Sequence, residues 1–187
     1  ILVRIAVIYK SKYGSTKKYA QWISSSLHCD LYDRKSIRPK QMHEYEIIVY
    51  GGGLYAGGVN GISLLSENAD LISNQTIILF TCGLADPSDP QNVAHIRSVL
   101  SKKLPQQLLE KIKVFHLRGG IDYSQLGPIH KAMMAMLHKM VKNKDYDSLR
   151  SEDKEMLSTY GKVVDFTNKA AIYPIVDYIK GIKTIRM

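Results

Sequence analysis

The stretch IAVIYKSKYGSTKKYA, residues 5–20, decides the fold of this chain. An apolar run at 5–9 leads into a loop of glycine and hydroxyl-bearing residues at 11–16, and a helical pattern follows directly. A helix that begins in such a loop presents unpaired N–H groups and the positive end of its dipole to an anion. The stretch therefore predicts a phosphate site at 11–16. The alternative is an ordinary capped helix after a strand.

The spacing of this loop excludes two common nucleotide motifs. It contains no G-x-x-x-x-G-K-[ST] and no G-x-G-x-x-G, so neither a nucleoside-triphosphate loop nor a dinucleotide fingerprint is present. What remains, from Ser11 to Thr16, is hydroxyl-x-x-Gly-hydroxyl-Thr after a strand. This pattern resembles the FMN phosphate loop of the flavodoxin family, and the resemblance extends to Ala20.

Strand and helix patterns alternate along the rest of the chain. Continuous apolar runs predict strands at 1–9, 46–50, 76–81 and 113–117, and a short extended piece is predicted near 29–32. Helical spacing predicts helices at 15–28, 62–72, 91–103 and 168–180. Such runs are typical of a parallel sheet covered on both faces. We predict an α/β fold for residues 1–187 as one domain: a doubly wound, five-stranded parallel sheet. The resemblance implies the flavodoxin-like strand order 2-1-3-4-5.

Open sheets of this kind bind ligands at the carboxyl ends of their strands, which here lead into 10–16, 51–58, 81–87 and 119–122. The second loop, GGGLYAGG, has five glycines in eight residues, which costs folding entropy. We interpret it as backbone that approaches a flat ligand, with Leu54 or Tyr55 against the ligand's face; the alternative is a flexible surface loop. In the third loop, Cys82 could be a nucleophile, but a small buried thiol is the preferred interpretation.

The four loops and the order of elements look like a flavodoxin-like domain over about residues 1–122. RGGIDY at 118–123, an inserted helix, KVVDFT at 162–167 and a closing helix are similar to the flavodoxin-like family that includes menaquinone-dependent protoporphyrinogen IX dehydrogenase. The resemblance implies FMN as the cofactor. The residues it assigns to FMN are Ser11, Lys12, Tyr13, Gly14, Ser15 and Thr16 at the phosphate, Gly53, Leu54, Tyr55, Ala56, Gly57, Gly58, Thr81, Cys82, Gly83 and Leu84 beside the ring, and Gly119 and Asp122 closing the site.

Residues 123–161 form the insertion, which contains an amphipathic helical pattern. Its apolar positions are Ile129, Ala132, Met133, Met136, Leu137, Met140 and Val141. We assign His130, His138 and the lysines to its polar side, and residues 128–144 hold no acid. Such a helix can lie on an anionic membrane, face an apolar acidic molecule, or simply pack on the sheet. We expect residues 143–160, which are charged and mixed in sign, to be solvated and mobile. We also predict that Thr167 caps the last helix and that Pro174 bends it.

Composition narrows the environment and the partners. The formal charge of +9 favours anionic partners, such as nucleic acid, acidic lipid or acidic protein, although solubility alone also explains it. We expect no nucleic-acid partner. With only two cysteines, and with six histidines that lack metal-ligand spacing, the sequence predicts a reducing cytoplasm and no metal site. Peripheral contact with an anionic membrane through residues 128–144 is a further expectation.

The expected function follows from the resemblance and from the missing catalytic machinery. No acid–base pair or nucleophilic triad stands out, so a bound flavin would supply the chemistry. We expect an FMN-dependent oxidoreductase of the protoporphyrinogen-dehydrogenase type, with a porphyrinogen as donor and a quinone as acceptor. A flavodoxin-type electron carrier is the first alternative, which the basic charge weakens. A non-enzymatic module of the same fold is the second.

Overall fold

The computed structural model describes residues 3–55 and 57–185. The strands are β1 (Ile5–Lys10), β2 (Asp30–Asp33), β3 (Ile47–Tyr55), β4 (Gly58–Val59), β5 (Thr76–Gly83), β6 (Lys113–Arg118), β7 (Gly120–Asp122) and β8 (Val163–Asp165). The α-helices are α1 (Ser15–Leu27), α2 (Ser63–Ser66), α3 (Pro90–Ser101), α4 (Gln106–Lys111), α5 (Pro128–Lys142), α6 (Ser151–Thr159) and α7 (Tyr173–Ile185). Short 3-10 helices lie at Pro39–Glu44, Tyr123–Gln125, Tyr146–Ser148 and Lys169–Ile172.

Five parallel strands form the central sheet in the order β2-β1-β3-β5-β6. Val7 of β1 pairs with Leu31 of β2 and with Val49 of β3, and Val49 pairs in turn with Ile78 of β5. The short strand β4 pairs antiparallel with the end of β3. When β4 is left aside, this is the predicted order 2-1-3-4-5, and the predicted doubly wound α/β fold is confirmed.

Alternating side chains of the strands fill two cores, one on each face of the sheet. Val7 and Tyr9 pack with α1 and α7 on one face, while Ala6 and Ile8 pack with α2, α3 and α4 on the other. Both faces are therefore covered by helices. This explains why the strands read as continuous apolar runs rather than as an alternating pattern.

The glycine run after residue 50 belongs partly to the sheet. β3 continues through Gly51, Gly52 and Gly53, so the predicted loop at 51–58 begins later than the sequence suggests. A Cβ at Gly51 would overlap the Phe80 ring, and one at Gly52 would overlap Val59. The first two glycines are thus explained by close packing inside the protein and require no ligand.

The helix predicted at 62–72 is wrong in its length. Only Ser63–Ser66 is helical, and turns occupy residues 67–74. The side-chain amide of Asn68 donates to the Leu64 carbonyl (2.9 Å), which would otherwise accept the helical bond from the Asn68 N–H. Asparagine favours turns through this kind of competition with the backbone.

The insertion leaves and re-enters the domain at neighbouring points. β7 and β8 pair antiparallel, with Asp122 opposite Val163, so the two ends of the insertion lie side by side. Its first half contains the predicted amphipathic helix as α5. Within 143–160, where the sequence predicts a solvated and mobile segment, α6 forms and its Glu155 pairs with Arg118 at the end of β6.

The last helix also differs from its prediction. A 3-10 turn precedes α7, and Asn168 caps this turn by accepting from the Ala170 N–H (3.0 Å). Thr167 instead accepts a hydrogen bond from the Lys18 ammonium (2.8 Å). Pro174 is the second residue of α7, where its missing N–H is not needed, so it begins the helix rather than bending it.

Candidate functional site

A cleft of about 600 Å³ opens at the carboxyl edge of the sheet. Its floor consists of the segments that follow β1, β3, β5 and β6, which are the segments predicted to converge there. Helices α3, α5 and α6 form its walls and roof. The volume lies within the range of about 300–1,000 Å³ typical of small-molecule and cofactor sites.

One end of the cleft is the N-terminus of α1. Gly14 precedes the helix with a φ of 103°, a left-handed conformation that favours glycine, and its N–H donates to the Ser11 hydroxyl (3.0 Å). No side chain caps the helix, and its first turn contains no acid. The N–H groups of that turn lack helical acceptors, and the helix dipole adds positive potential. The geometry therefore suits an anionic group.

Three floor segments meet closely beside this helix start. The Ser15 hydroxyl accepts a hydrogen bond from the Gly120 N–H (3.1 Å). A Cβ at Gly119 would lie 2.9 Å from the Cys82 Sγ, and a Cβ at Gly53 would lie 3.1 Å from the Thr16 Oγ1. Glycine at these two positions allows the backbone of three strands to approach the same point.

An aromatic group joins the first two loops to the roof. The Tyr13 hydroxyl is hydrogen-bonded to Nδ1 of His130 on α5, and the His130 and Tyr55 rings meet edge to face with centroids 3.9 Å apart. The Lys12 ammonium lies 4.5 Å from the Tyr55 ring centroid and donates to its hydroxyl (3.2 Å). These contacts fix α5 over the cleft.

His130 lies on the opposite side of α5 from the one predicted. It is 5% exposed and faces the cleft, whereas the sequence pattern placed it on the polar side. Burial, and secondarily the nearby Lys12 ammonium, lower the pKa of His130. The imidazole is therefore favoured in its neutral form within this aromatic group.

Most of the predicted site residues are brought together in the cleft. Its lining includes Ser11, Lys12, Tyr13, Ser15, Thr16, Gly53, Leu54, Tyr55, Gly57, Gly58, Cys82, Gly83, Leu84 and Gly119. Gly14 contributes as the left-handed residue before α1. Ala56 lies outside the described residues.

Two predicted site residues are placed elsewhere. Thr81 is fully buried in β5, and its hydroxyl is hydrogen-bonded to Nδ1 of His116 (2.8 Å). Asp122 accepts hydrogen bonds from the N–H (2.9 Å) and the hydroxyl (2.6 Å) of Ser124, so its carboxylate caps a turn of the insertion. Neither side chain lines the cleft, because each bonds within its own part of the fold.

Cys82 is a buried thiol, which is the interpretation that the sequence favours over a nucleophile. It is 5% exposed, and burial raises its pKa to about 12. The thiol therefore stays protonated at neutral pH, and thiolate chemistry is disfavoured.

The roof residues were missed as site residues. Apolar side chains from α3, α5 and α6 line the outer part of the cleft: Ile96, Val99, Met133, Met134, Met136, Leu137, Val141 and Met156. The periodicity predicted α5, but of its predicted apolar face only Met133, Met136, Leu137 and Val141 line the cleft, since periodicity does not tell which surface a helix covers. The cleft consequently has an apolar compartment beyond its anion-binding end.

Ion pairs hold α6 against the floor. The Arg118 guanidinium pairs with Glu155, lies 3.7 Å from the Asp86 carboxylate and donates to the Leu84 carbonyl (3.2 Å). It also stacks over the Phe166 ring, 3.7 Å from the centroid. Arg118 thus connects the end of β6, the loop after β5 and the insertion in one network.

The described part of the chain holds no group of three or more His, Cys, Asp or Glu side chains placed to bind a metal.

The fold and the cleft together define a class of protein: a doubly wound α/β protein whose cleft has an anion-binding end and an apolar outer compartment. The sequence model of the flavodoxin domain matches residues 6–148, and the chain belongs to the flavodoxin domain family. No curated protein sequence matches the chain significantly.

Several solved structures are similar in fold at low identity. A flavodoxin from the domain Archaea is 15% identical, with a TM-score of 0.42 over 62% of this chain and 83% of its own. A Lactobacillus acidophilus flavoprotein in complex with FMN is 15% identical, with a TM-score of 0.41 over 63% of this chain and 93% of its own. Oxidised flavodoxin 1 from Bacillus cereus is 15% identical, with a TM-score of 0.41 over 76% of this chain and 99% of its own.

Proposed function

We propose that this protein binds FMN in the cleft and acts as a redox protein. The observation that carries the proposal is the cleft itself, in which an uncapped helix N-terminus and an apolar compartment adjoin at the carboxyl edge of the sheet. FMN has the same two parts, a charged phosphate and a flat ring system. Membership of the flavodoxin domain family supports the same cofactor.

The proposed roles of the residues follow from their positions. The backbone N–H groups at the start of α1, with the Ser15 and Thr16 hydroxyls, would bind the phosphate. Leu54 and Tyr55 would contact the ring system, and Gly83 leaves room for the Leu54 side chain, which would lie 2.6 Å from a Cβ at that position. When bound, FMN supplies the electron-transfer chemistry, and the protein positions it and excludes water.

We further propose an oxidoreductase of the protoporphyrinogen-dehydrogenase type that passes electrons to a quinone. The support is the apolar compartment under α5, which is additional to the four loops that would hold FMN. Its lining of methionine, leucine and valine side chains suits an apolar ring. The family match alone is equally consistent with a single-domain electron carrier.

A visible absorption spectrum of the purified protein, with and without added FMN, tests the cofactor. We expect a flavin spectrum and saturable binding; a colourless protein that takes up no FMN would refute the proposal. The FMN-loaded protein is then assayed for protoporphyrinogen oxidation with a menaquinone analogue as acceptor. FMN binding without any porphyrinogen oxidation would favour the carrier.

A matched pair of variants tests the apolar compartment. Val99 lines it, whereas Val163 on β8 is 68% exposed and lies outside the cleft. We expect Val99→Gln to raise the KM for porphyrinogen with little effect on FMN affinity, and Val163→Gln to change neither. Equal kinetics of Val99→Gln and wild type would argue against substrate binding there.

A further inference from the structure

The outer surface of α5 is apolar and exposed. Ile129, Met136 and Met140 are 84%, 58% and 54% exposed, and their spacing of seven and four residues places them in one row. We call this row the α5 strip. Long apolar side chains left exposed in a row on one helix mark a contact surface more often than isolated ones do.

The same helix also carries positive charge on exposed side chains. Lys131, Lys139 and Lys142, here called the α5 lysines, are exposed, and residues 128–144 contain no Asp or Glu. The acids at the start of α6 are paired, because Arg150 lies 3.8 Å from the Glu152 carboxylate and 3.4 Å from that of Asp153. By helical spacing Lys139 lies beside the strip and Lys131 and Lys142 lie farther round the exposed side of α5, while the exposed acids Asp145 and Asp147 follow the end of the helix.

The strip is continuous with the cleft. Met136 belongs to both, since it lines the cleft and is largely exposed. Tyr146, just beyond the end of α5, is 59% exposed and adds an aromatic ring of the kind enriched at membrane interfaces. None of the helices in the described part of the chain is long and apolar enough to cross a bilayer.

We propose that α5 docks this protein on the surface of an anionic lipid bilayer. The α5 strip enters the boundary between headgroups and acyl chains, and the α5 lysines contact the anionic headgroups. Charge complementarity and non-directional apolar side chains favour a bilayer over a protein partner. In this orientation the cleft mouth at Met136 faces the lipid, so an apolar molecule can pass between the bilayer and the cleft.

Vesicle sedimentation of the full chain tests this docking independently of any flavin. Vesicles of phosphatidylglycerol and phosphatidylcholine are compared with vesicles of phosphatidylcholine alone. We expect binding to the anionic vesicles only. Changing the three α5 lysines to Glu should weaken that binding by at least about tenfold, since each basic residue near the surface contributes.

A matched control separates this helix from net charge. The triple variant Lys40→Glu, Lys102→Glu, Lys111→Glu changes three exposed lysines elsewhere by the same total charge, and we expect it to retain binding within about twofold. A second variant, Ile129→Gln with Met140→Gln, should also weaken binding. Melting curves of all variants check that they remain folded.

Three results would overturn the proposal. They are a lack of binding to anionic vesicles, equal losses in the two lysine variants, and full binding of the Ile129→Gln, Met140→Gln variant. The last result would show that charge alone holds the protein on the vesicle and that the strip does not enter the bilayer.

Discussion

Single glycines have two distinct roles at the carboxyl edge of the sheet. Gly51 and Gly52 lie under Phe80 and Val59, so the protein's own packing excludes a side chain there. Gly53 and Gly119 border the cleft, where backbone from neighbouring strands converges beside Thr16 and Cys82. A glycine-rich sequence alone does not separate these roles, because it records only that a side chain is missing.

We expect Gly51→Ala to destabilise the fold by about 1–3 kcal/mol, because its Cβ overlaps a fully buried ring in a closely packed core. Gly181→Ala is the control. Nothing lies within 4 Å of a Cβ at this exposed position of α7, so we expect a gain of up to about 1 kcal/mol from helix propensity. Urea denaturation measures both changes, and equal stability of the two variants would contradict the packing argument.

His130 makes stability depend on pH in a direction that follows from its burial. Its folded pKa is lowered, so the unfolded chain binds more protons than the folded one below about pH 6.5. The stability that the neutral imidazole contributes is therefore present at neutral pH, and it is lost as the pH falls below about 6.5. His116, whose pKa burial also lowers, adds a contribution of the same sign.

We expect His130→Gln to lose less stability than the wild type when the pH falls from 7.5 to 5.5. Its stability at pH 7.5 will be lower than that of the wild type, because the contacts with Tyr13 and Tyr55 are lost. Thermal melts of both proteins at the two pH values measure the difference. A parallel loss in the two proteins would show that His130 does not titrate as inferred.

At the scale of elements, the β1–α1 unit could be predicted from sequence and the roof could not. The strand, the loop and the helix start are local in sequence, and the left-handed Gly14 is the kind of residue the loop requires. The side of α5 that faces the cleft depends on contacts with Tyr13 and Tyr55, more than seventy residues away. Periodicity found the helix but placed His130 on the wrong side of it.

A substitution at the start of α1 is expected to raise the stability of the fold and to lower its affinity for FMN. Ser15→Asp places a carboxylate in the first turn, which favours the helix, and it can still accept from the Gly120 N–H. The same charge repels a phosphate, so we expect FMN affinity to fall at least about tenfold. Fluorescence titration with FMN and thermal melts measure the two effects.

Ser25→Asp is the control for this charge change. Ser25 is exposed on the same helix and lies about 15 Å farther along its axis, beyond about one Debye length at physiological salt. The FMN affinity of the Ser25→Asp variant should equal that of the wild type. Equal loss of affinity in both variants would place the phosphate elsewhere or assign the effect to net charge.

At the scale of the whole molecule, the charge of +9 sets this chain apart from strongly acidic flavodoxins. Negative charge added to a bound ring system costs less where few unpaired acids surround it and where Lys12 is near. The acids that line the cleft, Glu152, Asp153 and Glu155, are each paired with an arginine. We therefore expect this environment to destabilise a reduced, anionic cofactor less than strongly acidic surroundings would.

We expect the midpoint potential of bound FMN to be less negative than that of an acidic flavodoxin in the same buffer. A spectroelectrochemical titration measures it, and added salt should reduce the difference because it screens exposed charges. A potential as negative as that of the acidic flavodoxin would contradict this electrostatic account.

The pairing of β7 with β8 makes the insertion a removable module. Asp122 and Val163 are direct partners in an antiparallel ladder, with Cα atoms about 5 Å apart, which a two-residue hairpin turn can bridge. Replacing residues 123–162 with Asn-Gly would leave both cores in place, since neither contains a residue of the excised segment. The shortened chain would separate what the sheet edge does alone from what its roof adds.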